Sequence, residues 1–336
     1  MTQQFIPRAS KMAVLATLGL AILFLALSDP SSGGRVAQAK DRKSDPMRER
    51  LARGRYLVEG PMHCFACHSE VDWKAPGAPE LKGQKGGGAR FPEEDIPFPL
   101  YSPNISPDAE TGAGTWTDEQ LARAIREGIG HDGRRLSPVM PYLNYRVLSD
   151  EDLASVVAYL RSIPPVHNVV PKTELPEPVM NSLPPPMPVT APVPQPDLSN
   201  SITRGEYLVR LGNCSACHTP RDQQGRPLPG LDFAGGTPRK GPWGEVASTN
   251  ITSDPSGISY YDRRLFLEVM RTGRVRTRQL NPNMLTSRYR YMTDEDLTAI
   301  YSYLRMLPQV SHRVDNTEPP RPCKRCGYVH GFGDRN

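Results

Sequence analysis

The chain repeats itself. Arg53-Gly54-Arg55-Tyr56-Leu57-Val58 returns as Arg204-Gly205-Glu206-Tyr207-Leu208-Val209, and Cys64-Phe65-Ala66-Cys67-His68 as Cys214-Ser215-Ala216-Cys217-His218. Asn104-Ile105-Ser106-Pro107-Asp108 matches Asn250-Ile251-Thr252-Ser253-Asp254, and Ile125-Arg126-Glu127-Gly128 matches Met270-Arg271-Thr272-Gly273. Last come Pro138-Val139-Met140 and Pro282-Asn283-Met284, followed by Ser149-Asp150-Glu151-Asp152-Leu153 and Thr293-Asp294-Glu295-Asp296-Leu297. The order never changes, so one supersecondary plan is used twice. Two homologous domains, 47–170 and 199–315, are expected, with a 316–336 tail. Between them Pro171–Leu198 holds ten prolines in 28 residues. Such a stretch favours extended polyproline II over a packed fold and reads as a spacer, or a strap over both domains.

Each unit reads as a few short helices among long loops, hence a mostly α class. Ser149 is placed to cap a helix whose first turn holds Asp150, Glu151 and Asp152. Its apolar stripe is Leu153, Val156, Val157 and Leu160, and Pro164-Pro165 end it. Thr293 begins the counterpart, which Pro308 stops. The helix ahead of each cysteine pair has Tyr56 and Leu57, or Tyr207 and Leu208, as apolar anchors. No strand-period alternation of useful length is visible. With 7% aromatic residues, units of this size bury thin cores unless something other than protein fills them.

The cysteines supply the candidate. Cys-x-x-Cys-His is the attachment signature of c-type haem: each thiol forms a thioether with a vinyl group, and the adjacent histidine is placed to bind iron. Two such motifs in register within a repeat are a strong signal. Cys64, Cys67 and His68 are therefore assigned to one haem, and Cys214, Cys217 and His218 to a second. Three other readings compete. A disulfide within each pair would not require the repeated histidines. A zinc site from the four thiols would make them incidental. A thioredoxin-like redox pair wants a βαβ context that is absent. The sixth iron position then decides between a closed electron-transfer site and ligand chemistry. Met140 and Met284 occupy the same repeat position, each after Pro-x, and are assigned as those ligands. Met292 competes with Met284 but aligns with Leu148.

Cys64-x-x-Cys67-His68, Asn104 to Asp108, Trp116 with its following helix, and Met140-Pro141-Tyr142 ahead of Ser149 to Asp152 resemble the haem domains of class I c-type cytochromes. More closely, they resemble the membrane-associated di- and tri-haem cytochrome subunits of bacterial dehydrogenases acting on alcohols, gluconate or nicotinate-type heterocycles. The resemblance covers nearly all of 47–315 and implies His/Met-ligated iron and electron transfer, not bond chemistry. It further implies a catalytic dehydrogenase subunit as donor and a quinone, another cytochrome or an oxidase as acceptor. Two departures stand out: no third Cys-x-x-Cys-His exists, and Leu285 replaces the proline after the second methionine. The rival class is a di-haem peroxidase or thiosulfate-oxidising cytochrome with one open iron, against which the paired methionines speak. A haem-bearing sensor is a third class, and no signalling domain is attached.

Arg8 and Lys11 precede an uncharged run, Met12 to Leu27, with Ala37-Gln38-Ala39 as a cleavage candidate. This reads as an export signal, or a retained N-terminal membrane anchor within 1–40, and either leaves the rest outside the cytoplasm, in a bacterial periplasm. No other run is long and apolar enough for a polytopic membrane protein. The formal charge of +5 is interspersed and gives no nucleic-acid footprint; four haem propionates would nearly cancel it. Arg126 and Arg271 repeat on one helix, either as propionate partners or on a solvated face. His63 and His131 read as ordinary loop histidines. In the tail, Gly327 follows Cys323-Lys324-Arg325-Cys326 where a haem histidine would stand. The two thiols read as a disulfide or free, with a metal site including His330 as the alternative.

Overall fold

A glycine sets how each copy is assembled. The computed structural model describes residues 45–333 apart from 93, 95 and 97. In the first copy α1 (Pro46–Glu59) starts at an Asp45 cap, α2 (Asp118–Glu127) at a Thr117–Gln120 capping box, α3 (Tyr142–Tyr145) is one turn, and α4 (Asp150–Ser162) is capped by Ser149 as expected. A Cβ on Gly54 of α1 would lie 1.9 Å from the Ser155 carbonyl oxygen of α4. Only glycine lets the two helices cross at that distance, which explains the repeated Arg-Gly-x-Tyr-Leu-Val. After α5 (Glu177–Ser182) the second copy repeats the plan with α6 (Ser201–Leu211), α7 (Cys214–His218), α8 (Arg263–Thr272), α9 (Thr286–Tyr289) and α10 (Asp294–Met306). There Gly205 would place a Cβ 2.1 Å from the Ala299 oxygen.

Among the described residues strands are confined to short antiparallel ribbons: β1 (Ala89–Arg90) with β2 (Tyr101–Ser102), β3 (Pro238–Gly241) with β4 (Gly244–Ala247), β5 (Arg274–Val275) with β6 (Arg278–Gln279), and β7 (Arg321–Pro322) with β8 (Val329–His330). At two to four residues each they are too short to show a two-residue period in sequence. The chain is mostly helical.

The two copies dock reciprocally, as a two-fold arrangement requires. Tyr207 of the second copy donates its hydroxyl to Asp152 of the first at 2.7 Å, and Tyr56 of the first donates to Asp296 of the second. Each hydroxyl also accepts from the N-terminus of the same foreign helix: Ser149 N lies 3.4 Å from Tyr207 Oη, and Thr293 N lies 3.2 Å from Tyr56 Oη. Arg53 grips Asp152 with two bonds of 2.7 and 2.8 Å, and Arg204 grips Asp296. Burial and the facing carboxylate push the Tyr56 hydroxyl up to about 12, and the Tyr207 hydroxyl is likewise pushed up. Tyr207 and Leu211 of α6 pack into the first copy's core beside Leu57, Phe65 and Leu148. Each tyrosine is thus a polar clamp on the other copy as well as an apolar anchor of its own helix.

The proline-rich segment is held on the first copy. Arg135 donates to Met180 O at 2.9 Å, Asp150 N donates to Val193 O at 2.9 Å, and Ser149 Oγ bonds Gln195. No helix among the described residues is long and apolar enough to cross a membrane. The 1–40 segment with its 12–27 apolar run lies outside the described residues.

Candidate functional site

His68 and His218 are each 9% exposed, and each commits one ring nitrogen in the same way. His68 Nδ1 bonds Pro103 O at 2.8 Å and His218 Nδ1 bonds Thr249 O at 2.6 Å. Such a bond fixes the tautomer with the proton on Nδ1, which leaves the Nε2 lone pair for a metal. Burial holds both rings below the usual histidine range, in the neutral form a ligand needs.

The Asn-Ile-Ser/Thr motif holds those carbonyls. Asn104 Nδ2 donates to Val166 O at 2.7 Å while its Oδ1 accepts from Ser106 N and Oγ at 3.0 and 2.7 Å. Asn250 repeats this with Val310 O at 2.8 Å and with Thr252 N and Oγ1 at 2.9 and 2.8 Å. The motif ties the loop bearing Pro103, or Thr249, to the chain leaving the last helix of its copy.

The methionines sit in matching turns. Met140 N donates to Ser137 O at 3.0 Å and Met284 N to Asn281 O at 2.9 Å, directly before α3 and α9. A tyrosine bolts each of these turns to the segment preceding the cysteines: Tyr145 donates to Met62 O at 3.1 Å, and Tyr289 donates to Gly212 O at 3.2 Å. Both methionines are partly buried against their own core. Met292 is 1% exposed within the core, like Leu148 at 0%, the residue with which it aligns.

The cysteines open the two motifs, in a single 3-10 turn at Cys64–Ala66 and in α7. None of them is in a disulfide. Burial pushes Cys64 up to about 12, Cys67 to about 11 and Cys214 to about 12. A disulfide oxidoreductase lowers its thiol pKa, so this environment opposes the thioredoxin-like reading. Among the described residues these thiols form no metal-binding group, which removes the four-thiolate zinc alternative. The donor set fits covalently held haem: in each copy two thiols, one four residues ahead of a tautomer-fixed imidazole and one adjacent to it, with a methionine turn in the same copy. Trp243 Nε1 is buried without a hydrogen-bond partner, and its carbonyl accepts from Asn281 at 2.9 Å, which places it beside the Met284 turn. A propionate would supply the missing acceptor.

The two sites adjoin. The Arg239 and Arg288 charges of the second copy bear on the Cys67 thiol of the first. Trp73 and Trp243 meet edge to face at 5.0 Å, His63 meets Tyr289 at 5.7 Å, and Arg288 pairs with Glu80. His63 is therefore an interface residue, held neutral down to about 4 by burial, and not simply a loop histidine. His131 stacks on Trp116 at 4.2 Å.

Arg126 and Arg271 both find partners within their own copy. Arg126 bonds Leu148 O and pairs with Asp150 at 2.7 Å, with only 7% of its side chain exposed. Arg271 bonds Arg290 O and Asp294 at 2.5 Å. They brace the start of the last helix, because a carbonyl and the acidic first turn sit within reach of α2 and α8. Sequence reading also passed over Trp243, Tyr145 and Tyr289; the repeated tyrosine five residues after each methionine was the signal for the latter two.

Comparison with known proteins agrees with this geometry. The family model described as Cytochrome c matches residues 51–164 and 202–308. The chain is 30% identical over 292 residues, 81% of its length, to the gluconate 2-dehydrogenase cytochrome c subunit of Pantoea cypripedii, of which it covers 62%. It is 34% identical over 279 residues, 78% of its length, to the fructose dehydrogenase cytochrome subunit of Gluconobacter japonicus, of which it covers 53%. The chain thus spans less than two thirds of the length of these dehydrogenase subunits. It is 28% identical over 257 residues, 74% of its length, to a diheme cytochrome c-type protein of Cereibacter sphaeroides, of which it covers 82%. The two matched stretches each contain one histidine tautomer lock, one methionine turn and one cysteine motif. The chain belongs to the cytochrome c family and carries two c-type haems.

Proposed function

We propose that this chain carries electrons, outside the cytoplasm, from a dehydrogenase's catalytic subunit toward a quinone, another cytochrome or an oxidase. The observation that carries the reading is the reciprocal docking of two equivalent copies, each with a tautomer-locked histidine behind a cysteine pair. Cys64, Cys67 and His68 with Met140 would hold one haem, and Cys214, Cys217 and His218 with Met284 the other. Bound haem supplies a one-electron ferric/ferrous couple, and a thioether as sixth ligand raises its potential. The protein's residues do the rest. His68 and His218 present Nε2 because their Nδ1 protons are occupied. Tyr145 and Tyr289 fix the methionine turns against the cysteine segments. The Tyr56–Asp296 and Tyr207–Asp152 clamps hold the copies in one register.

The run 12–27 supports export or a membrane anchor, and the relatives named as cytochrome subunits of dehydrogenases support a dehydrogenase as donor. The test is affinity purification of the tagged full chain from its native membranes, followed by substrate-driven reduction. Co-purification of a catalytic dehydrogenase, and reduction of both haems when that enzyme's substrate is added, is the expected result. Reduction only by artificial reductants, with peroxide consumed, would overturn it.

A further inference from the structure

The tail contains a constellation independent of the two haem sites. After α10 the chain reaches His312, then turns through a hairpin in which β7 and β8 flank Cys323 and Cys326, with His330 in β8. His312 Nε2 lies 3.4 Å from Cys323 Sγ, and Cys326 Sγ lies 3.2 Å from His330 Nε2. One ligand atom from each of the four residues lies within 4.8 Å of every other. His312, His330 and Cys326 are 3%, 4% and 9% exposed. A tetrahedral ion with metal–sulfur bonds of about 2.3 Å and metal–nitrogen bonds of about 2.05 Å needs nitrogen–sulfur edges of roughly 3.6 Å. The hairpin is tightened toward this shape. Gly327 N donates to Cys323 O at 2.9 Å with φ +78°, and Arg325 N points at Cys323 Sγ from 3.4 Å.

The repeat supplies an internal control. His312 occupies the position of Asn168 in the first copy: Asn168 N donates to Thr111 Oγ1 and His312 N to Ser256 Oγ. Asn168 Nδ2 donates to Gly87 O at 2.9 Å, and His312 Nδ1 bonds the equivalent Ala234 O, also at 2.9 Å. The imidazole therefore reproduces the asparagine's bond with one nitrogen and gains a second. That second nitrogen, Nε2, aims its lone pair at the Cys323 thiol, which is how outer-shell bonds orient histidine ligands.

We propose that His312, Cys323, Cys326 and His330 bind one structural Zn2+ ion. Two thiolates and two imidazoles in a closed four-coordinate set suit zinc, which has no redox chemistry and accepts a tetrahedron. Two thiolates also neutralise the divalent charge, so the site can be buried. A disulfide would leave two buried imidazoles aimed at it with no function. The ion would staple the tail to the loop of the second haem site. Ala234 O holds His312, Gly235 N donates to His218 O at 2.7 Å, and a Cβ on Gly236 would lie 2.6 Å from both imidazoles.

The test is elemental analysis of the full-length holoprotein, with intact mass and haem stain, on the natural chain and on His312→Asn and Cys323→Ser. His312→Asn installs the first copy's own residue and keeps the bond to Ala234 O, so it removes a ligand without removing the packing. One zinc per two irons is expected in the natural chain, falling at least about tenfold in both variants with iron unchanged. Two results would overturn the proposal. One is a natural chain with full iron, no zinc and a mass two hydrogens lighter, which means a disulfide. The other is zinc that His312→Asn leaves undiminished, or copper in its place.

Discussion

Asn104 and Asn250 make matching sets of bonds in the two copies, whereas Asn168 and His312, in equivalent places nearby, do different work. The difference follows from what each copy meets next. The first is followed by a proline-rich strap that lies on it, tied through Arg135, Asp150 and Ser149. The second is followed by a short hairpin with little apolar area, packed through Leu231, Ala234, Val310 and Cys326. A buried frame that orients a histidine and a methionine tolerates no variation, so it is copied bond for bond. The C-terminal attachment is free to differ, and in the second copy polar ligands replace packing.

The largest effect is expected from the helix crossings. Gly54→Ala and Gly205→Ala each drive a Cβ into a backbone carbonyl that cannot step aside, and should cost more than about 3 kcal/mol. Haem content and the thermal midpoint of each variant measure this. Equal loss in both copies supports an identical frame, and tolerance in one would break the equivalence. Next come the reciprocal clamps. Tyr56→Phe and Tyr207→Phe each remove a hydroxyl bonded to a carboxylate that is also held by an arginine, a loss of about 2 kcal/mol apiece. Denaturant unfolding checks it, and the docking is asymmetric if only one matters.

His63 sharpens the comparison through pH. Its counterpart is Asn213, in the same left-handed conformation, with φ of 39° for His63 and 50° for Asn213. Only the histidine titrates. Folding holds it neutral to about 4 against an ordinary value near 6.5, so the unfolded chain binds more protons between those limits. The contribution is complete above about 6.5 and is lost as pH falls toward 4, on the order of 2 kcal/mol. Between pH 7 and 4.5 the natural chain should therefore lose more unfolding free energy than His63→Asn does, by that amount; parallel loss in the two would remove His63 as the cause. The smallest effect is the arginine pair. Arg126→Gln leaves a buried site at about 2 kcal/mol, whereas Arg271→Gln, 31% exposed, should cost under about 1 kcal/mol. Equal costs would mean that exposure does not separate the two braces.

Much of this frame was legible because it is local and duplicated. The caps Ser149 and Thr293, the cysteine motifs and the methionine turns all lie in short segments whose residue types state their chemistry, and each appears twice. Tyr56 and Tyr207 were legible only in part. Their rings follow the helical stripe, but their hydroxyls reach 240 and 55 residues along the chain into the other copy. No local period encodes such a contact. The protein partners of Arg126 and Arg271 were not legible for the same reason, since they lie at the start of the last helix of each copy. His312 was missed because it lies eleven residues before Cys323, outside any short ligand spacing. Aligning it with Asn168 would have exposed it, because a histidine replacing a buried asparagine adds one donor atom with no place in the copied frame.

The central claim is that both copies close their iron with methionine. Optical spectra of the purified holoprotein, oxidised and reduced, with and without carbon monoxide, test it most directly, using Met140→Ala and Met284→Ala as references. The account predicts a far-red ferric band of methionine–iron bonding that each variant halves, and carbon monoxide binding only after one methionine is removed. Absence of that band in the natural protein, or one haem that takes up carbon monoxide at once, would contradict it and move an open-iron enzyme ahead of the carrier.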